Sequence, residues 1–369
     1  VTAELPSAGG TIAVCVSALF VRSKGIARIA RNVLKQLASL HPELPITLLI
    51  HPDAPPELLA LGDRVQVRVL GPRNLLLRLL RYHLLLPLNM RRYALHHSVG
   101  NMGMVFCPIP QCITIHDVYE KVSPERFSTA KRWLMGCIVS LSGRNARRII
   151  ADSESTARDI AAHYPHLARK TTVVYPGASL GVRMPPAGER GQDFLSVGTV
   201  EPGKDLPTAL RAFAVYARER QGMLRVVGKR DARRDGLDTL VGSLGIADRV
   251  TFLGTIRDEE LDAEYSKARA LVLSSRYEGF GLPVVEAMSY GCPVIAARNS
   301  AIVEAGGESA LYFETGNADD LAEKMRLLAD SPEMCRELAR RGREHSRRFD
   351  WREAAERTYE IYQSVADPS

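Results

Sequence analysis

The chain has 369 residues, enough for two domains of ordinary size. Hydrophobic residues make up 46% of it and charged residues 25%, which excludes a disordered chain, and no apolar run approaches the roughly 20 residues that a membrane-spanning helix needs. The net charge of +7 is uneven: residues 1–190 hold 24 Lys and Arg against 12 Asp and Glu, whereas residues 191–369 hold 25 against 30, so we expect the first half to meet a polyanion or an anionic membrane surface.

Short apolar runs alternate with helical patterns along the first half of the chain. A buried strand is predicted at Thr11–Leu19, and the apolar residues between Ile26 and Leu37 then recur on one helical face. Further strands are predicted at Ile46–Ile50, Val65–Val69, Cys112–Ile115, Ile149–Ala151 and Thr172–Tyr175. This alternation predicts parallel βαβ units.

The alternation stops between Pro176 and Gln192, where three prolines and four glycines predict a linker. A second series follows, with strands predicted at Phe194–Val197, Leu224–Val227, Val250–Leu253, Ala270–Leu273 and Val294–Ala296. The final helices are predicted at Ala318–Ala329, Pro332–Arg347 and Trp351–Val365. The sequence therefore predicts two doubly wound α/β domains. Ligands bind beyond the carboxyl ends of the strands in such sheets, so we expect the site in a cleft between the domains.

The most informative stretch is residues 274–291, SSRYEGFGLPVVEAMSYG, which follows a predicted strand. Gly279 and Gly281 allow a tight turn with close approach to a ligand. Pro283 suits the start of a helix, and a helix N-terminus is a ready phosphate site.

Two carboxylates accompany this turn. Glu278 precedes it and Glu286 is predicted in the first turn of the helix. Both would repel a phosphate, but both can accept hydrogen bonds from the hydroxyls of a sugar or ribose. The alternative is an ordinary capped helix whose first turn is stabilised by acidic residues.

Three shorter stretches lie where a predicted strand gives way to a helix: SKGIAR at 23–28, ITIHD at 113–117 and SVGTVEPGKD at 196–205. Lys204 is unfavourable beside a helix N-terminus unless it reaches a bound diphosphate. His116 ends a strand of the first domain, where that domain should face the cleft. Gly25 allows a turn whose N–H groups could touch phosphate, although the stretch is not a G-x-G-x-x-G fingerprint. The alternative for Lys204 is a solvated surface lysine, and the alternative for His116 is a structural histidine beside a capping Asp.

Basic residues cluster near residues 64–92, against Asp63 alone: Arg64, Arg68, Arg73, Arg78, Arg81, Arg91 and Arg92. Leu75–Leu88 interleaves leucines with Arg78 and Arg81. This pattern predicts a basic amphipathic segment of the kind that lies on anionic lipid. The alternative is an ordinary helix whose leucines face the core.

Together and in this order, these stretches resemble the family 4 glycosyltransferases of the GT-B architecture, and the resemblance covers essentially the whole chain. Its most specific element is Glu278-x7-Glu286 around GFGLP. The closing RRFDW and the helix after it, from Arg347 to Val365, are also similar to the family's end, where the last helix crosses back to the first domain. SVGTVEPGKD and TIHD resemble a bacterial branch rich in mannosyltransferases of O-antigen and exopolysaccharide assembly.

The resemblance implies a role for each motif residue. Glu278 would bind hydroxyls of the donor sugar, Glu286 would bind the ribose, His116 would contact the sugar, and Lys204 would neutralise the leaving diphosphate. The implied catalytic residues are His116, Lys204 and Glu278. The implied donor-binding residues are Gly25, Thr199, Lys204, Glu278, Gly279, Phe280, Gly281, Leu282 and Glu286. The implied membrane or acceptor surface consists of Arg73, Arg78, Arg81, Arg91 and Arg92.

The sequence departs from the family pattern in the 196–205 stretch. Thr199 stands where many members have an Arg, and Gly203 stands where the mannosyltransferase-like branch commonly has a basic residue. Lys229 or Arg230 could compensate. The first-domain stretch also lacks two glycines that the family usually has, which bears on loop shape and acceptor fit.

The resemblance also implies an organisation and an activity. The domains would be an acceptor-binding domain at 1–176, a linker at 177–192, a nucleotide-sugar-binding domain at 193–347 and a returning helix at 348–369. The reaction would be a metal-independent, cofactor-free and retaining transfer from a nucleotide-sugar donor, with GDP-mannose favoured. The acceptor would be a saccharide, with a polyprenyl-diphosphate-linked one favoured. Because the N-terminus lacks the charged start and cleavage site of a signal peptide, we expect a cytoplasmic location, with peripheral contact at the inner face of the membrane.

Alternatives stay open at this point. The same fold could use a UDP-sugar. A nucleotide-sugar epimerase of the same architecture would need its own acid and base carboxylates. A catalytically silent subunit would bind the donor without turnover. A nucleic-acid-binding protein would fit the net charge, but no recognition motif is present and aromatic residues are only 6%, so no nucleic-acid partner is expected.

Overall fold

The structure is a computed structural model that describes residues 11–15, 24–55, 58, 61, 64–69, 74–124, 127–178, 190–233 and 235–366. The chain divides into two compact units. Unit 1 consists of Val1–Gly177 and Asp350–Ser369, and unit 2 consists of Ala178–Phe349. Most of the predicted linker at 177–192 lies outside the described residues, which omit 179–189.

The described part of unit 1 contains a seven-stranded parallel sheet with the order β3-β2-β1-β4-β5-β6-β7. Its strands are β1 Thr11–Cys15, β2 Ile46–Ile50, β3 Val65–Val69, β4 Tyr93–Ser98, β5 Gln111–Ile115, β6 Arg148–Ala151 and β7 Thr171–Val173. Its helices are α1 Lys24–Leu40, α2 Leu75–Leu80, α3 Tyr119–Val122, α4 Thr129–Asn145, α5 Glu154–His163 and the last helix of the chain, α13 Trp351–Ala366.

The described part of unit 2 contains a six-stranded parallel sheet with the order β10-β9-β8-β11-β12-β13. Its strands are β8 Phe194–Val197, β9 Leu224–Val227, β10 Val250–Gly254, β11 Ala270–Leu273, β12 Val294–Ala297 and β13 Leu311–Phe313. Its helices are α6 Leu206–Ala217, α7 Leu237–Ser243, α8 Asp258–Lys267, α9 Leu282–Ser289, α10 Ser300–Gly306, α11 Ala318–Asp330 and α12 Pro332–Ser346. The predicted pair of doubly wound, Rossmann-like sheets is confirmed.

Both sheets are covered on two faces, and this explains their continuous apolar runs. Every residue of β2, β5, β11 and β12 is buried. Strands buried on both faces read as uninterrupted hydrophobic sequence rather than as an alternation. In unit 2, Phe194, Phe213 and Tyr216 are fully buried between sheet and helix. Burial of a large apolar side chain stabilises the fold by about 1.5–3 kcal/mol.

The strand order fixes where the loops of unit 2 meet. From β8 the chain first builds outward to β9 and β10, and then returns to place β11 on the other side of β8. The sheet therefore has its switch point between β8 and β11. Loops that leave the carboxyl ends of these two strands are neighbours, and this is the position at which open α/β sheets bind ligands.

Two strands were not predicted, β4 and β13. β4 has the sequence YALHHS, and its two histidines are buried in the centre of the sheet. The predicted strand Thr11–Leu19 is observed as β1 over Thr11–Cys15, and its remaining residues lie outside the described ranges.

The segment Leu75–Leu88 is not one helix. Helix α2 ends at Leu80, a π-helical turn covers Arg81–Leu85, and a 3-10 turn covers Pro87–Arg92. Pro87 lacks an N–H and clashes with the preceding turn, so an α-helix cannot continue through it.

Helix α13 packs in unit 1, against α1. The rings of His41 and Tyr359 stack with centroids 3.7 Å apart. The Arg147 guanidinium donates to the carbonyl of Val365 over 2.6 Å. Across the described ranges, the helices are too short or too polar for any of them to cross a bilayer.

Candidate functional site

Two loops of unit 2 bring together the residues that the sequence singled out. The β8 loop, residues 198–205, ends in a 3-10 turn that carries Lys204. The β11 loop, residues 274–281, carries Glu278 and ends at Gly281, which precedes α9 with a φ of 103°. Because β8 and β11 are paired strands, both loops leave the same edge of the sheet side by side.

Lys204 and Glu278 form an ion pair at this junction. The Lys204 ammonium donates to both carboxylate oxygens of Glu278, over 2.6 Å and 2.8 Å. The Lys204 side chain is 24% exposed and that of Glu278 is 11% exposed, so the pair lies at the surface without being fully solvated. The junction thus presents a cation suited to a phosphate beside a carboxylate suited to a hydroxyl.

Further hydrogen bonds fasten the two loops to each other. The Arg276 N–H donates to the Gly203 carbonyl over 2.9 Å, and the Ser274 hydroxyl donates to the Lys204 carbonyl over 2.9 Å. Arg276 also pairs with the buried carboxylate of Asp205 at 3.0 Å. These contacts hold Lys204 and Glu278 in a fixed relation, as a preorganised site requires.

The loop after β9 packs closely on the β8 loop. Gly228 has a φ of 149°, and a Cβ atom built on it would lie 1.8 Å from the Gly198 carbonyl oxygen. The Val200 N–H donates to the Lys229 carbonyl over 2.8 Å. Only a glycine at 228 leaves room for this close approach of the two loops. Thr199, in the β8 loop, is exposed.

Of the two residues that could compensate for Gly203, one is already engaged. Arg230 forms ion pairs with Asp235 at 2.9 Å and Asp238 at 3.0 Å, and its guanidinium lies 3.9 Å from the centre of the Phe252 ring. The Lys229 side chain is exposed. Lys229 is therefore the better placed of the two to meet an anion.

Glu286 lies deeper than predicted. It is the fifth residue of α9, so its placement in the first turn of that helix was wrong. The carboxylate is buried, and its Oε2 accepts a hydrogen bond from the Tyr265 hydroxyl over 3.0 Å. Its role with a ribose stays a prediction.

The start of α9 is arranged as an anion site would be. In the described part of the chain no side chain caps this helix, and the helix begins at Leu282 directly after Gly281. A helix N-terminus without a capping side chain presents N–H groups and a positive dipole. The Phe280 ring is buried and meets Phe349 edge to face at 5.3 Å, which anchors the turn beside Gly279.

His116 follows β5 in unit 1, and both of its ring nitrogens face acceptors. Nδ1 lies 2.6 Å from Asp152 Oδ2, and Nε2 lies 2.9 Å from the Val99 carbonyl oxygen. Burial disfavours the charged ring, but the charge and hydrogen bond of Asp152 outweigh this and raise the pKa of His116 to about 9. His116 is therefore a buried imidazolium that donates from both nitrogens.

This geometry matches the structural alternative stated for His116. Its neighbour Asp117 accepts from the Tyr119 N–H at the start of α3 over 3.3 Å, and burial raises the pKa of Asp117 to about 6. The cavity beside His116 has a volume of about 30 Å³, room for about one water molecule. A sugar contact by His116 requires Nε2 to leave Val99, and that role stays a prediction.

The sequence reading missed a polar network in the core of unit 1. His97 Nδ1 lies 2.7 Å from the Tyr362 hydroxyl, and its Nε2 lies 2.8 Å from the Thr114 hydroxyl. Burial lowers the pKa of His97 to about 3, so the ring is neutral. The available signal was the long interval without a strand between Val69 and Cys112.

The remaining predicted residues are spread across unit 1. Gly25 is the second residue of α1 and exposed, so it lies in the helix rather than in the turn before it, and its donor-binding role stays a prediction. Arg78 was wrongly assigned to the surface, because its side chain is only 11% exposed and pairs with Asp53 at 2.9 Å. Arg81, Arg91 and Arg92 are exposed as predicted. Arg73 lies outside the described residues.

Comparison with known proteins identifies the family to which the chain belongs, its relatives and its fold. A model of "Glycosyltransferase Family 4" matches residues 23–181, and a model of "Glycosyl transferases group 1" matches residues 185–345. The chain is 32% identical over 240 residues to a D-inositol 3-phosphate glycosyltransferase of Streptomyces avermitilis. That alignment covers 59% of this chain and 52% of the relative, so the chain spans about half the length of that relative.

A second relative and a solved structure extend the match. The chain is 28% identical over 282 residues to the MMP alpha-(1->4)-mannosyltransferase of Mycolicibacterium hassiacum, covering 73% of this chain and 67% of that one. The structure of Anabaena Alr3699/HepE in complex with UDP and glucose superposes with a TM-score of 0.77 at 20% identity, over 96% of this chain and 100% of that one. This likeness shows the GT-B fold. With the two family models matching nearly everything from residue 23 to 345, the chain belongs to the glycosyltransferases, with a family 4 domain followed by a group 1 domain.

Proposed function

We propose that this protein is a retaining glycosyltransferase that transfers mannose from GDP-mannose to a lipid-linked saccharide in the assembly of a bacterial surface polysaccharide. The observation that carries the proposal is the pairing of Lys204 with Glu278 at the switch point of unit 2. It supports the proposal because a cation suited to phosphate, a carboxylate suited to hydroxyls and the start of α9 lie on adjoining loops.

In the proposed reaction, these groups stabilise the charge that develops on the leaving diphosphate. The Lys204 ammonium turns part of its hydrogen bonding from Glu278 to the diphosphate, and the first turn of α9 adds backbone N–H donors. Glu278, released in part, accepts hydrogen bonds from the sugar hydroxyls and fixes their orientation. The diphosphate leaves from the face that the acceptor enters and takes the acceptor proton, so the anomeric configuration is retained.

The choice of mannose rests on likeness alone. The Mycolicibacterium hassiacum relative carries the name of a mannosyltransferase, whereas the Anabaena structure holds UDP and glucose. GDP-mannose and UDP-glucose differ in base and in sugar, so a binding assay distinguishes them. UDP-glucose is the competing donor.

A thermal-unfolding panel tests the proposal. The wild-type chain is heated with GDP, UDP, ADP, dTDP and their common sugar conjugates, and the same panel is run on Lys204→Met. A ligand that binds only the folded state at a hundred times its Kd adds about 2.7 kcal/mol of stability. We expect GDP and GDP-mannose to raise the Tm of the wild type, and Lys204→Met to lose most of that shift.

Glu264→Gln is the matched control. Glu264 on α8 pairs with Arg225 on β9 at 2.6 Å, with side chains 16% and 30% exposed, so the pair is in unit 2 but on neither of the two loops. It should lose stability without losing the GDP shift. A shift with UDP alone would replace the donor and keep the enzyme class. No shift with any nucleotide, together with salt-sensitive retention on DNA, would overturn the proposal in favour of a nucleic-acid-binding protein, and binding without mannose transfer would indicate a silent subunit.

We further propose that the segment 75–92 contacts an anionic membrane. Its leucines do not all face the core, because Leu77, Leu80, Leu84, Leu85 and Leu88 are exposed. Arg81, Arg91 and Arg92 are exposed beside them. Exposed apolar side chains flanked by cations favour an anionic lipid surface.

Vesicle flotation tests this contact. We expect the chain to float with vesicles of phosphatidylcholine and phosphatidylglycerol and not with phosphatidylcholine alone. A Leu84→Ser/Leu88→Ser variant should float less. Leu327→Ser, which alters an exposed leucine of unit 2, is the control. Equal flotation of both variants would remove segment 75–92 from the contact.

A further inference from the structure

Unit 1 contains a second cavity, apart from the one beside His116. Its volume is about 260 Å³, somewhat below that of a pocket for a drug-sized ligand. Three arginines from three elements line it: Arg68 on β3, Arg81 on the π-helical turn and Arg92 on the 3-10 turn. We call it the arginine pocket.

The arginine pocket has positive charge without a matching carboxylate among the residues that the structure describes. None of the described residues that line it is Asp or Glu. Among the residues that the structure describes, no ion pair neutralises Arg68, Arg81 or Arg92, whereas Arg78 in the same segment is paired with Asp53. Three like charges around one cavity repel each other, and a bound anion relieves that repulsion.

Two of the arginines are held in place by neutral partners. Arg92 donates from Nε to the Asn89 carbonyl over 2.9 Å and from Nη2 to Asn89 Oδ1 over 2.7 Å. Arg68 donates from Nη2 to Gln66 Oε1 over 3.1 Å. Neutral partners orient a guanidinium without cancelling its charge, and each guanidinium keeps further N–H donors for a ligand. Oriented guanidinium groups suit phosphate oxygens, which they bind in pairs of hydrogen bonds.

One exposed leucine lines the arginine pocket, and two more lie near it in the chain. Leu85 lines the cavity and is exposed, and Leu84 and Leu88 are exposed beside it in the chain. A free inorganic anion would leave these leucines in water. A ligand with an anionic head and an apolar chain would cover them and gain hydrophobic stabilisation.

We propose that the arginine pocket binds the diphosphate group of a prenyl-chain lipid, with the diphosphate between Arg68, Arg81 and Arg92 and the chain over Leu84, Leu85 and Leu88. The site differs from general membrane contact because it takes one head group per chain. The idea that this site holds the lipid carrier of the acceptor rests on the proposed function. Binding of a prenyl diphosphate does not rest on it, and the experiment separates the two claims.

The probe is farnesyl diphosphate, a prenyl diphosphate short enough to dissolve, and binding is measured by titration calorimetry. We expect one molecule to bind per chain. Inorganic diphosphate should bind about tenfold or more weakly and farnesol should not bind, because each lacks one of the two interactions. Arg81→Gln should raise the Kd for farnesyl diphosphate about tenfold or more, since a charge-assisted hydrogen-bonding pair is lost.

Two control variants locate the probe. Arg91→Gln removes an exposed arginine of the same 3-10 turn that does not line the pocket, and it should leave the Kd nearly unchanged. Lys204→Met alters the β8 loop of unit 2, and it too should leave the Kd unchanged. Arg81→Gln should melt at the wild-type temperature, because Arg81 is exposed, and Arg68→Gln provides a second test of the pocket.

The outcomes are distinct. If Arg91→Gln weakens binding as much as Arg81→Gln, the surface is diffuse and the pocket is overturned. If only Lys204→Met weakens it, the probe binds at the β8 and β11 loops and the pocket is again overturned. If dihexanoylphosphatidylglycerol, a water-soluble lipid with one phosphate, binds as tightly as farnesyl diphosphate, the site serves lipid head groups in general, and a specific prenyl diphosphate site is overturned. Farnesyl diphosphate binding at Arg81 in a chain that ignores every nucleotide would uphold the pocket and refute the proposed function.

Discussion

Lys204 and Glu278 neutralise each other before any ligand arrives. In the proposed reaction, a diphosphate therefore competes with the carboxylate for the ammonium, and a sugar hydroxyl competes with the ammonium for the carboxylate. The sequence could place each residue beyond a strand, because Val197 and Leu273 end clear apolar runs. It could not predict the ion pair, which depends on β8 and β11 being neighbours and hence on the crossover order of the sheet.

A double-mutant cycle separates the stability of this pair from its function. Lys204→Met leaves a largely buried carboxylate unpaired, so we expect the free energy of unfolding to fall by about 1–3 kcal/mol. Adding Glu278→Gln should recover most of that loss while the proposed sugar transfer stays reduced by about 10²–10³-fold. Urea unfolding and initial rates measure the two effects. Recovery of activity in the double variant would assign the pair a purely structural role.

The buried His116–Asp152 pair makes the stability of unit 1 depend on pH. The pKa of His116 is about 9 in the folded chain against 6.5 when unperturbed, so the folded state holds one more proton between these values. Its stabilisation is complete below pH 6.5 and is lost as the pH rises through 9, a change of about 3 kcal/mol. The measurement is urea unfolding across this window. Tryptophan fluorescence reports on unit 1, because Trp133 and Trp351, the two tryptophans of the chain, both belong to it.

Asp152→Asn is the control for this pH dependence. Without the Asp152 carboxylate, burial is opposed only by the hydrogen bond to Val99 and the charge of Asp117, which are smaller effects, so the pKa of His116 should fall below the window. We expect a less stable unit 1 whose stability is flat between pH 6.5 and 9. Buried thiols do not interfere, since burial raises the pKa of Cys112 to about 12. A wild type as flat as the variant would contradict a charged His116.

At the level of elements, the close approach of the β8 and β9 loops is the most sensitive feature near the site. Gly228→Ala would drive a methyl group into the Gly198 carbonyl, so we expect a loss of about 3 kcal/mol or more and a weaker nucleotide shift. Gly254 also has a positive φ, 66°, but a Cβ there meets nothing within 4 Å. Gly254→Ala should therefore lose only about 1–2 kcal/mol. Equal melting temperatures for the two variants would show that the loop contact relaxes freely.

The strands that could be predicted from the sequence have buried residues that are mostly apolar. β8, β9 and β11 were predicted at their observed bounds because each is a short apolar run between polar turns. β4 was missed because His96 and His97 look solvent-exposed in sequence. Their burial depends on partners such as Gln111 and Tyr362, which are distant in the chain. Hydrophobic periodicity cannot reveal a polar group that is satisfied by a remote partner.

On the scale of the whole molecule, the repeated alternation of strand and helix was enough to predict two parallel sheets. Their internal strand orders were not predictable from periodicity, because the same alternation fits several crossovers. Individual side-chain contacts hold the end of the chain in unit 1. Tyr362 reaches His97 in β4, and a Cβ on Gly177 would meet the Trp351 ring at 2.5 Å.

A chain ending at Phe349 tests how far unit 1 depends on α13. Unit 2 is continuous and retains every residue of its two loops, so we expect the truncated chain to keep its nucleotide shift. Unit 1 loses the buried side chains Trp351, Ile361, Tyr362 and Val365 and should unfold at lower urea, as followed by Trp133 fluorescence. Tyr362→Phe is the milder variant, with an expected loss of about 1–2 kcal/mol for the hydrogen bond to His97. Loss of nucleotide binding on truncation would tie the site to α13.

The position of α13 also orders events on the ribosome. Translation adds about 5–20 residues per second, and domains generally fold as they emerge. Unit 2 is complete once Phe349 has emerged, whereas unit 1, although begun first, waits through the synthesis of all of unit 2 for its last helix. During that interval the face of α1 that α13 covers, and the partner of His97, are missing. The nascent chain therefore carries an unfinished first unit beside a finished second one, and this interval is when it most needs protection from aggregation.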